Sequence, residues 1–292
     1  MKLLVLYSRN PEQQMNKIIE KEYFSEVVVK LVVEAPHIAK SRKAGHFVIV
    51  KTGEKGERIP LTIAAADVEK GTITLIIQKV GVTSARLCNL EVGDEITDVV
   101  GPLGKPTHVE KVGTVLASGG GVGVAPLLPI VEAFKEAGNR VITILAARKK
   151  ELIILEEQMR NHSDEVIIMT DDGSYGMKGL VTVGMEEVIG REKVDLAVTV
   201  GPAIMMKFVS KLTGKYNIPT VASLNTLMVD GTGMCGACRV SVGGKTRFVC
   251  VDGPEFDAHL VDFDEMMLRL GSYKPSEAEA YENYLSSHPK TQ

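Results

Sequence analysis

Three rhythms of apolar and polar positions follow one another along the chain. Over residues 1–108, short β-branched runs (SEVVVKLVVEA, HFVIVKT, GTITLIIQKV, DEITDVV) are split by Gly, Pro and charged turns such as GERIP and GPLGKP. Many short strands with little helix predict a small antiparallel barrel. Over residues 109–222 the pattern alternates. VGTVLAS, RVITILAAR, DEVIIMT, VDLAVTVG and IPTVASL read as strands. APLLPIVEAFKEAG, ELIILEEQMRN, VTVGMEEVIG and AIMMKFVSKLTGKYN read as helices, the first stopping at Gly138. Apolar strands alternating with amphipathic helices predict a parallel sheet covered on both faces.

Residues 223–262 are Gly-rich and loop-like, too few to bury a core alone, and would need a metal or cluster to hold them. Residues 263–292 offer one helix, DEMMLRL, and a polar, Glu-rich tail expected to fray. The opening MKLLVLYSRNPEQQ predicts a strand, because it lacks the apolar h-region and cleavage site of a signal peptide.

Composition adds little. The 292 residues are 45% hydrophobic and 24% charged with net charge −3, ordinary for a globular chain and without the basic excess of a nucleic-acid binder. No apolar run approaches the roughly 20 residues that span a bilayer, so no membrane is expected and the cytoplasm is the expected location. Four cysteines in 292 residues make no disulfide framework, but three of them fall between Cys235 and Cys250, which points to metal chemistry.

The glycines of LASGGGVGVAPLLPI (Gly119, Gly120, Gly121 and Gly123) join a strand to a helix with Pro126 just inside it. Bare backbone and free helix N–H groups suit a pyrophosphate there. The spacing is Gly-x-Gly-x-x-Pro, and the second strand ends in Arg148-Lys149-Lys150 with no acidic residue, so a plain Rossmann dehydrogenase fits poorly. Gly201 and Pro202 occupy a similar turn after a later strand, ahead of Met205 and Met206, which suit a core as well as a site. In the barrel, ERIPLT sets Arg58 near Pro60, Leu61 and Thr62, and KVGVTSARL sets Gly81, Thr83 and Ser84 ahead of a short helix. Both are patterns compatible with phosphate, and equally with a surface Arg and a capped helix.

This order of motifs resembles the ferredoxin–NADP reductase superfamily. With the cysteine segment behind it, the chain is similar to electron-transfer subunits of dihydroorotate dehydrogenase. It is more similar still to small subunits of NADH-dependent reduced ferredoxin:NADP oxidoreductases, also known as sulfide dehydrogenase subunits. The resemblance implies a β-barrel FAD domain, an α/β parallel-sheet nucleotide-binding domain and a small [2Fe–2S] cluster domain. It implies that Arg58, Pro60, Leu61 and Thr62 hold the flavin, and that Gly81, Thr83 and Ser84 hold its diphosphate. Gly120, Gly121, Gly123 and Pro126 would face the nicotinamide nucleotide, with Gly201 and Met205 opposite and Asp171, Asp172 and Gly173 lining the same pocket. Such subunits carry Cys-x4-Cys-x2-Cys and a later fourth Cys. Here Cys235, Cys238 and Cys250 match the last three positions, and Asp230 stands at the first, so the implied ligands are Asp230, Cys235, Cys238 and Cys250.

A carboxylate keeps the anionic charge of a thiolate, though as a harder donor. VDGTG is also a strong turn signal in its own right. Cys88, far from the motif, reads as a core residue. Zinc held by the three cysteines with His259 or Asp230 is the rival metal, and a non-catalytic nucleotide-binding zinc protein the rival class. The six histidines are scattered, and no catalytic triad or carboxylate pair stands out. The resemblance implies electron transfer among NAD(H), FAD and the cluster, to or from a larger partner with a second flavin and [4Fe–4S] clusters. It implies ferredoxin as a substrate of the complex and electron bifurcation by it. It favours NADH, whereas Arg148, Lys149 and Lys150 would suit the 2′-phosphate of NADPH.

Overall fold

The computed structural model describes residues 16–54 and 56–288; the strand expected over residues 1–14 lies outside them. The first part contains β1 (Asn16–Ser25), β2 (Val28–Glu34), α1 (Pro36–Ser41), β3 (Phe47–Lys51), β4 (Arg58–Asp67), β5 (Thr72–Gln78), α2 (Val82–Cys88), β6 (Glu95–Ile96) and β7 (Asp98–Leu103). These strands pair antiparallel in the order β6-β1-β2-β5-β4-β3-β7. The two edge strands are β6 and β7, and the chain separates them by Thr97 alone. The sheet must therefore curl until its edges nearly meet, which gives the expected barrel. Alternate residues fill it: Val29, Leu31 and Val33 from β2, with Ile73, Leu75 and Ile77 from β5. Cys88 joins that core at 1% exposure, as its position predicted. β1 escaped the sequence reading because its outward positions are charged and mask a period of two.

The second part is a sheet ordered β11-β10-β9-β8-β12-β13-β16. Its strands are β8 (Thr114–Gly120), β9 (Arg140–Ala147), β10 (Glu165–Thr170), β11 (Met177–Lys178), β12 (Leu196–Val200), β13 (Thr220–Ser223) and β16 (Glu255–Asp257). All pairs are parallel except β13 with β16. The covering helices are α3 (Val124–Glu136), α4 (Glu156–His162), α5 (Val181–Arg191) and α6 (Ala203–Lys215). The helix expected over ELIILEEQMRN breaks: a 3-10 turn covers Lys150–Leu152, Leu155 turns to φ 57°, and α4 starts at Glu156. Leu155, buried with Ile154, takes the left-handed conformation there, which a helix cannot continue through.

The third part holds a hairpin of β14 (Arg239–Val242) and β15 (Lys245–Phe248), the short helix α7 (Val249–Asp252), and helices α8 (Phe263–Leu270) and α9 (Lys274–Ser287). The polar tail is thus helical. It lies against α2, where Asn89 Nδ2 donates to the Tyr284 hydroxyl at 3.3 Å and the Arg86 guanidinium stands 5.6 Å from that ring's centre. The cysteine segment shares its core with its neighbours: Cys238, Val240 and Cys250 pack with Phe47 and Ile49 of the barrel, Ala203 and Met206 of α6, and Phe263 and Met266 of α8. Among the described residues no helix is long and apolar enough to cross a membrane.

The parts also meet at one carboxylate. Thr107, between β7 and β8, donates to Glu255 Oε1 of β16 at 2.6 Å. Burial pushes the Glu255 carboxyl up to about 6 from the usual 4.5, with the Thr107 hydroxyl opposing it. A raised folded value means that the stability is complete below about pH 4.5 and falls as pH rises through about 6. The loss reaches about 2 kcal/mol by pH 8. Glu255→Gln keeps an acceptor for Thr107 without the charge. Thermal unfolding should show no gain for the variant at pH 4.5 and a gain of roughly 4 °C at pH 8.

Candidate functional site

Three arrangements lie where the motifs predicted them. The first is at the carboxyl edge of the parallel sheet. Chain connections leave the neighbours β8 and β12 in opposite directions, from β8 through α3 to β9 and from β12 through α6 to β13, so the β8/β12 boundary is a topological switch point. The glycine loop follows β8 and Gly201-Pro202 follows β12. The two loops touch through bare backbone: a Cβ on Gly123 would lie 2.6 Å from the Val200 carbonyl oxygen, and one on Gly120 would lie 2.4 Å from Met205 Sδ. Met205 also closes on Gly201, so it forms the wall between the loops. Gly121, at φ 56°, has open space where a Cβ would stand, which leaves room for a ligand against the backbone. Pro126 lies in the first turn of α3, where no N–H is required.

Asp171, Asp172 and Gly173 lie on the same edge but two strands from β8, beside the basic loop after β9. The Asp171 amide donates to the Ala147 carbonyl at 3.1 Å, and the Lys150 amide donates to Ser174 Oγ at 2.9 Å. The Ser174 hydroxyl and amide hold the Asp172 carboxyl below its ordinary range. These residues therefore shape the far end of the edge, and Ser174, missed in the sequence, ties the two loops together.

The second arrangement is a split in the barrel. Residues Ile63–Asp67 of β4 pair with β5, whereas Arg58–Thr62 pair with β3 alone. Past Leu75, β5 continues against β2 and leads through Gly81 into α2. A slot opens between the two diverging stretches. Arg58, Pro60, Leu61 and Thr62 line one side, all half-buried; Gly81, Thr83 and Ser84 stand on the other. The open edge explains how a proline sits inside a strand with two neighbours. Ser84 shapes the turn: its hydroxyl accepts from the Val80 and Gly81 amides, each at 3.0 Å. Thr83 donates to Glu57 Oε2 at 3.2 Å across the slot, a partner with no sequence signal. Arg58 uses Nε on the Val229 carbonyl at 3.0 Å, and its terminal nitrogens have no hydrogen bond among the described residues.

The third arrangement is the cysteine loop. Cys238 stands just before β14 and Cys250 two residues beyond β15, in α7. The eleven residues between them are therefore a minimal hairpin turning at Gly243-Gly244, and the pairing of Arg239 with Phe248 brings the sulfurs to 3.2 Å. Gly231, Gly233 and Gly236 all have positive φ, which curls the preceding loop over them. Its amides point at sulfur. The Ala237 and Asp230 amides hold the exposed Cys235 thiol below its usual range. Cys250 is pushed up to about 12 by burial and by the Cys238 sulfur, against the Gly233 amide. Asp230 forms the turn its sequence suggested: Oδ2 accepts from the Thr232 amide at 3.0 Å and from the Thr232 hydroxyl. Those bonds, with Arg58 adding charge, hold its carboxyl below the usual range, so it is ionised. His259 turns elsewhere, with Nε2 3.0 Å from the Ile218 carbonyl oxygen and Nδ1 3.4 Å from Ser210 Oγ, which removes it as a fourth zinc ligand. Among the described residues no three His, Cys, Asp or Glu side chains are grouped as for a single metal ion.

Residues 225–262 match the family described as the iron-sulfur cluster binding domain of dihydroorotate dehydrogenase B. A relative from Thermotoga maritima, named dihydroorotate dehydrogenase B (NAD(+)), electron transfer subunit homolog, is 46% identical over 273 residues, 94% of this chain and 96% of its own length. A probable electron transfer subunit of the same enzyme from Methanocaldococcus jannaschii is 41% identical over 199 residues, 68% of this chain and 74% of its own. Among solved structures, a chain of the NADH-dependent reduced ferredoxin-NADP oxidoreductase is 44% identical with a TM-score of 0.89, covering 94% of this chain and 100% of that one. A ferredoxin NADP+ reductase from Neisseria gonorrhoeae, 17% identical with a TM-score of 0.56, covers 68% of this chain and 89% of its own and shares the fold.

The close approach at Gly123 has a measurable consequence. Gly123→Ala must separate the two loops at the switch point. Its dissociation constant for NADH, measured by calorimetry, should rise about tenfold, equal to about 1.4 kcal/mol. Its thermal unfolding midpoint should fall as well, because the added Cβ meets backbone inside a buried turn.

Proposed function

The chain belongs to the family of dihydroorotate dehydrogenase B electron-transfer subunits, and on that footing we propose that it relays electrons among NAD(H), FAD and a [2Fe–2S] cluster, to or from a larger partner subunit. The observation that carries this reading is the bond from Arg58 to the Val229 carbonyl. It ties the strand lining the barrel slot to the residue next to Asp230, so flavin and cluster sites share one scaffold.

FAD when bound would supply the exchange between two-electron hydride and the single electrons that a cluster accepts. The chain's residues bind, orient and shield. Arg58 keeps its terminal nitrogens for the pyrophosphate. Pro60, Leu61 and Thr62 offer a half-buried surface to the flavin ring, and Gly81 with Thr83 and Ser84 leads the diphosphate to the start of α2. Gly120, Gly121, Gly123 and Pro126 receive the nicotinamide nucleotide, with Gly201 and Met205 opposite. Asp171, Asp172 and Gly173 bound its outer end beside Arg148. The cysteine loop fits a cluster: three cysteines, an ionised Asp230, small residues and amides aimed at sulfur.

The likeness to the NADH-dependent reduced ferredoxin-NADP oxidoreductase chain supports a finer reading. In it, the partner holds a second flavin and [4Fe–4S] clusters, ferredoxin is a substrate of the complex, and the whole bifurcates electrons. The Thermotoga relative's name favours a second, in which the partner oxidises dihydroorotate. Purifying the chain with its native partner and assaying flavin reduction by dihydroorotate against reduced ferredoxin separates the two.

Chain purified without oxygen should carry FAD and about two irons, and NADH should bleach the flavin. Absence of both groups would sink the proposal. Asp230→Ala should lose or alter the cluster's paramagnetic resonance spectrum, whereas Cys88→Ser, in the barrel core, should leave it unchanged. An intact spectrum in the first and a lost one in the second would overturn the ligand set. Arg58→Ala should release flavin at least about tenfold more readily, the effect of one charge-assisted bond.

A further inference from the structure

A cavity of about 390 Å³ lies apart from all three arrangements. It sits under the opposite end of the parallel sheet. Leu196 is the first residue of β12, and Val112 precedes β8 by two. None of the switch-point glycines, slot residues or cluster ligands lines it. Its floor is apolar: Phe134 of α3 with Leu196, Val198 and Val221 of the sheet. Its roof is the segment that leaves the barrel, Lys105 to Glu110, and its end wall is Asp252-Gly253, just beyond Cys250. The volume falls within the range of small-molecule sites, about 300–1,000 Å³.

Charge identifies the occupant. Glu255 lines the cavity, and its bond from Thr107 comes from a neutral hydroxyl. No lysine, arginine or histidine forms an ion pair with it among the described residues. Three more carboxylates border it, each already engaged: Glu110 with His108 at 2.9 Å, Asp252 with the Phe248 amide at 2.8 Å and Asp257 with the His259 amide at 2.9 Å, and Lys105 is the one lysine in the lining. A buried carboxylate without a cation is costly, and its burial raises the Glu255 pKa accordingly. A cation with an apolar body would cover the floor and neutralise the wall together. An anion would meet the unpaired charge of Glu255.

We infer that this cavity is a binding site for a small organic cation, a primary ammonium on a short apolar body. Its occupant touches the barrel exit, the edge of the nucleotide sheet and the segment behind Cys250, so it bridges the parts between which electrons pass.

Benzylamine is the probe, with benzyl alcohol as its uncharged counterpart and benzoate as its anionic one. Titration calorimetry uses the flavin-loaded chain at pH 8, with and without saturating NADH. Benzylamine should bind, benzyl alcohol should bind at least about tenfold more weakly, the worth of one charge-assisted bond, and benzoate should not bind. NADH should leave the benzylamine isotherm unchanged. Glu255→Gln, which keeps the Thr107 contact, should weaken benzylamine by a similar factor and leave benzyl alcohol as it was. Val221→Phe fills the cavity from its floor and should abolish binding with Glu255 intact. No benzylamine binding, equal binding of amine and alcohol, competition by NADH, or wild-type affinity in either variant would overturn the inference.

Discussion

The cysteine segment has no interior of its own, and that constraint organises the molecule. Its buried residues, Leu224, Met228, Cys238, Val240, Val249, Cys250, Ala258 and Val261, are too few for a core. They gain one by lying against Phe47 and Ile49 of the barrel and Ala203 and Met206 of α6, with Phe263 and Met266 of α8 closing the far side. Each large side chain buried in that shared core contributes about 1.5–3 kcal/mol. Gly231 marks how tight the fit is: a Cβ there would lie 2.7 Å from Ile49 and 2.9 Å from Leu103. The loop that carries Asp230 is therefore set by the barrel wall, and the hairpin behind it by the sheet and α8.

The same economy explains where ligands enter. A sheet that paired every strand fully would leave no place for a long flavin. The barrel gives up pairing along Arg58–Thr62, and the loop after β8 gives up a side chain at Gly121. In both places what is missing, a strand partner or a Cβ, makes the room. Proline at position 60 and glycine at position 121 are the residues that tolerate such gaps.

Much of this was legible in the sequence because it is local. The parallel strands are apolar runs and the glycine turns stand beside them, whereas the hairpin between Cys238 and Cys250 lies in a segment whose glycines read as loop. What escaped depends on contacts between distant residues. β1 was hidden by charges on its outer face. ELIIL was misread as helix because two consecutive buried residues look apolar in any conformation. The polar tail became helix by lying on α2 through Tyr284. Arg58 was marked for phosphate, yet nothing near it in sequence announces Val229. Asp230 was marked both as a turn and as a ligand, and the turn is what its hydrogen bonds with Thr232 show.

The bond from Arg58 to Val229 spans 171 residues, whereas the pairing that joins Cys238 to Cys250 closes a loop of twelve. The two halves of the cysteine loop thus differ in when they become defined. The hairpin half is a local structure, of a kind that forms within microseconds. The Asp230 half takes its place only against a finished barrel. The barrel is made first during synthesis from the N-terminus, so the loop meets its anchor already in place. On the proposed ligand set, a cluster would meet all four positions only once the barrel exists, so the order of synthesis would become an order of assembly.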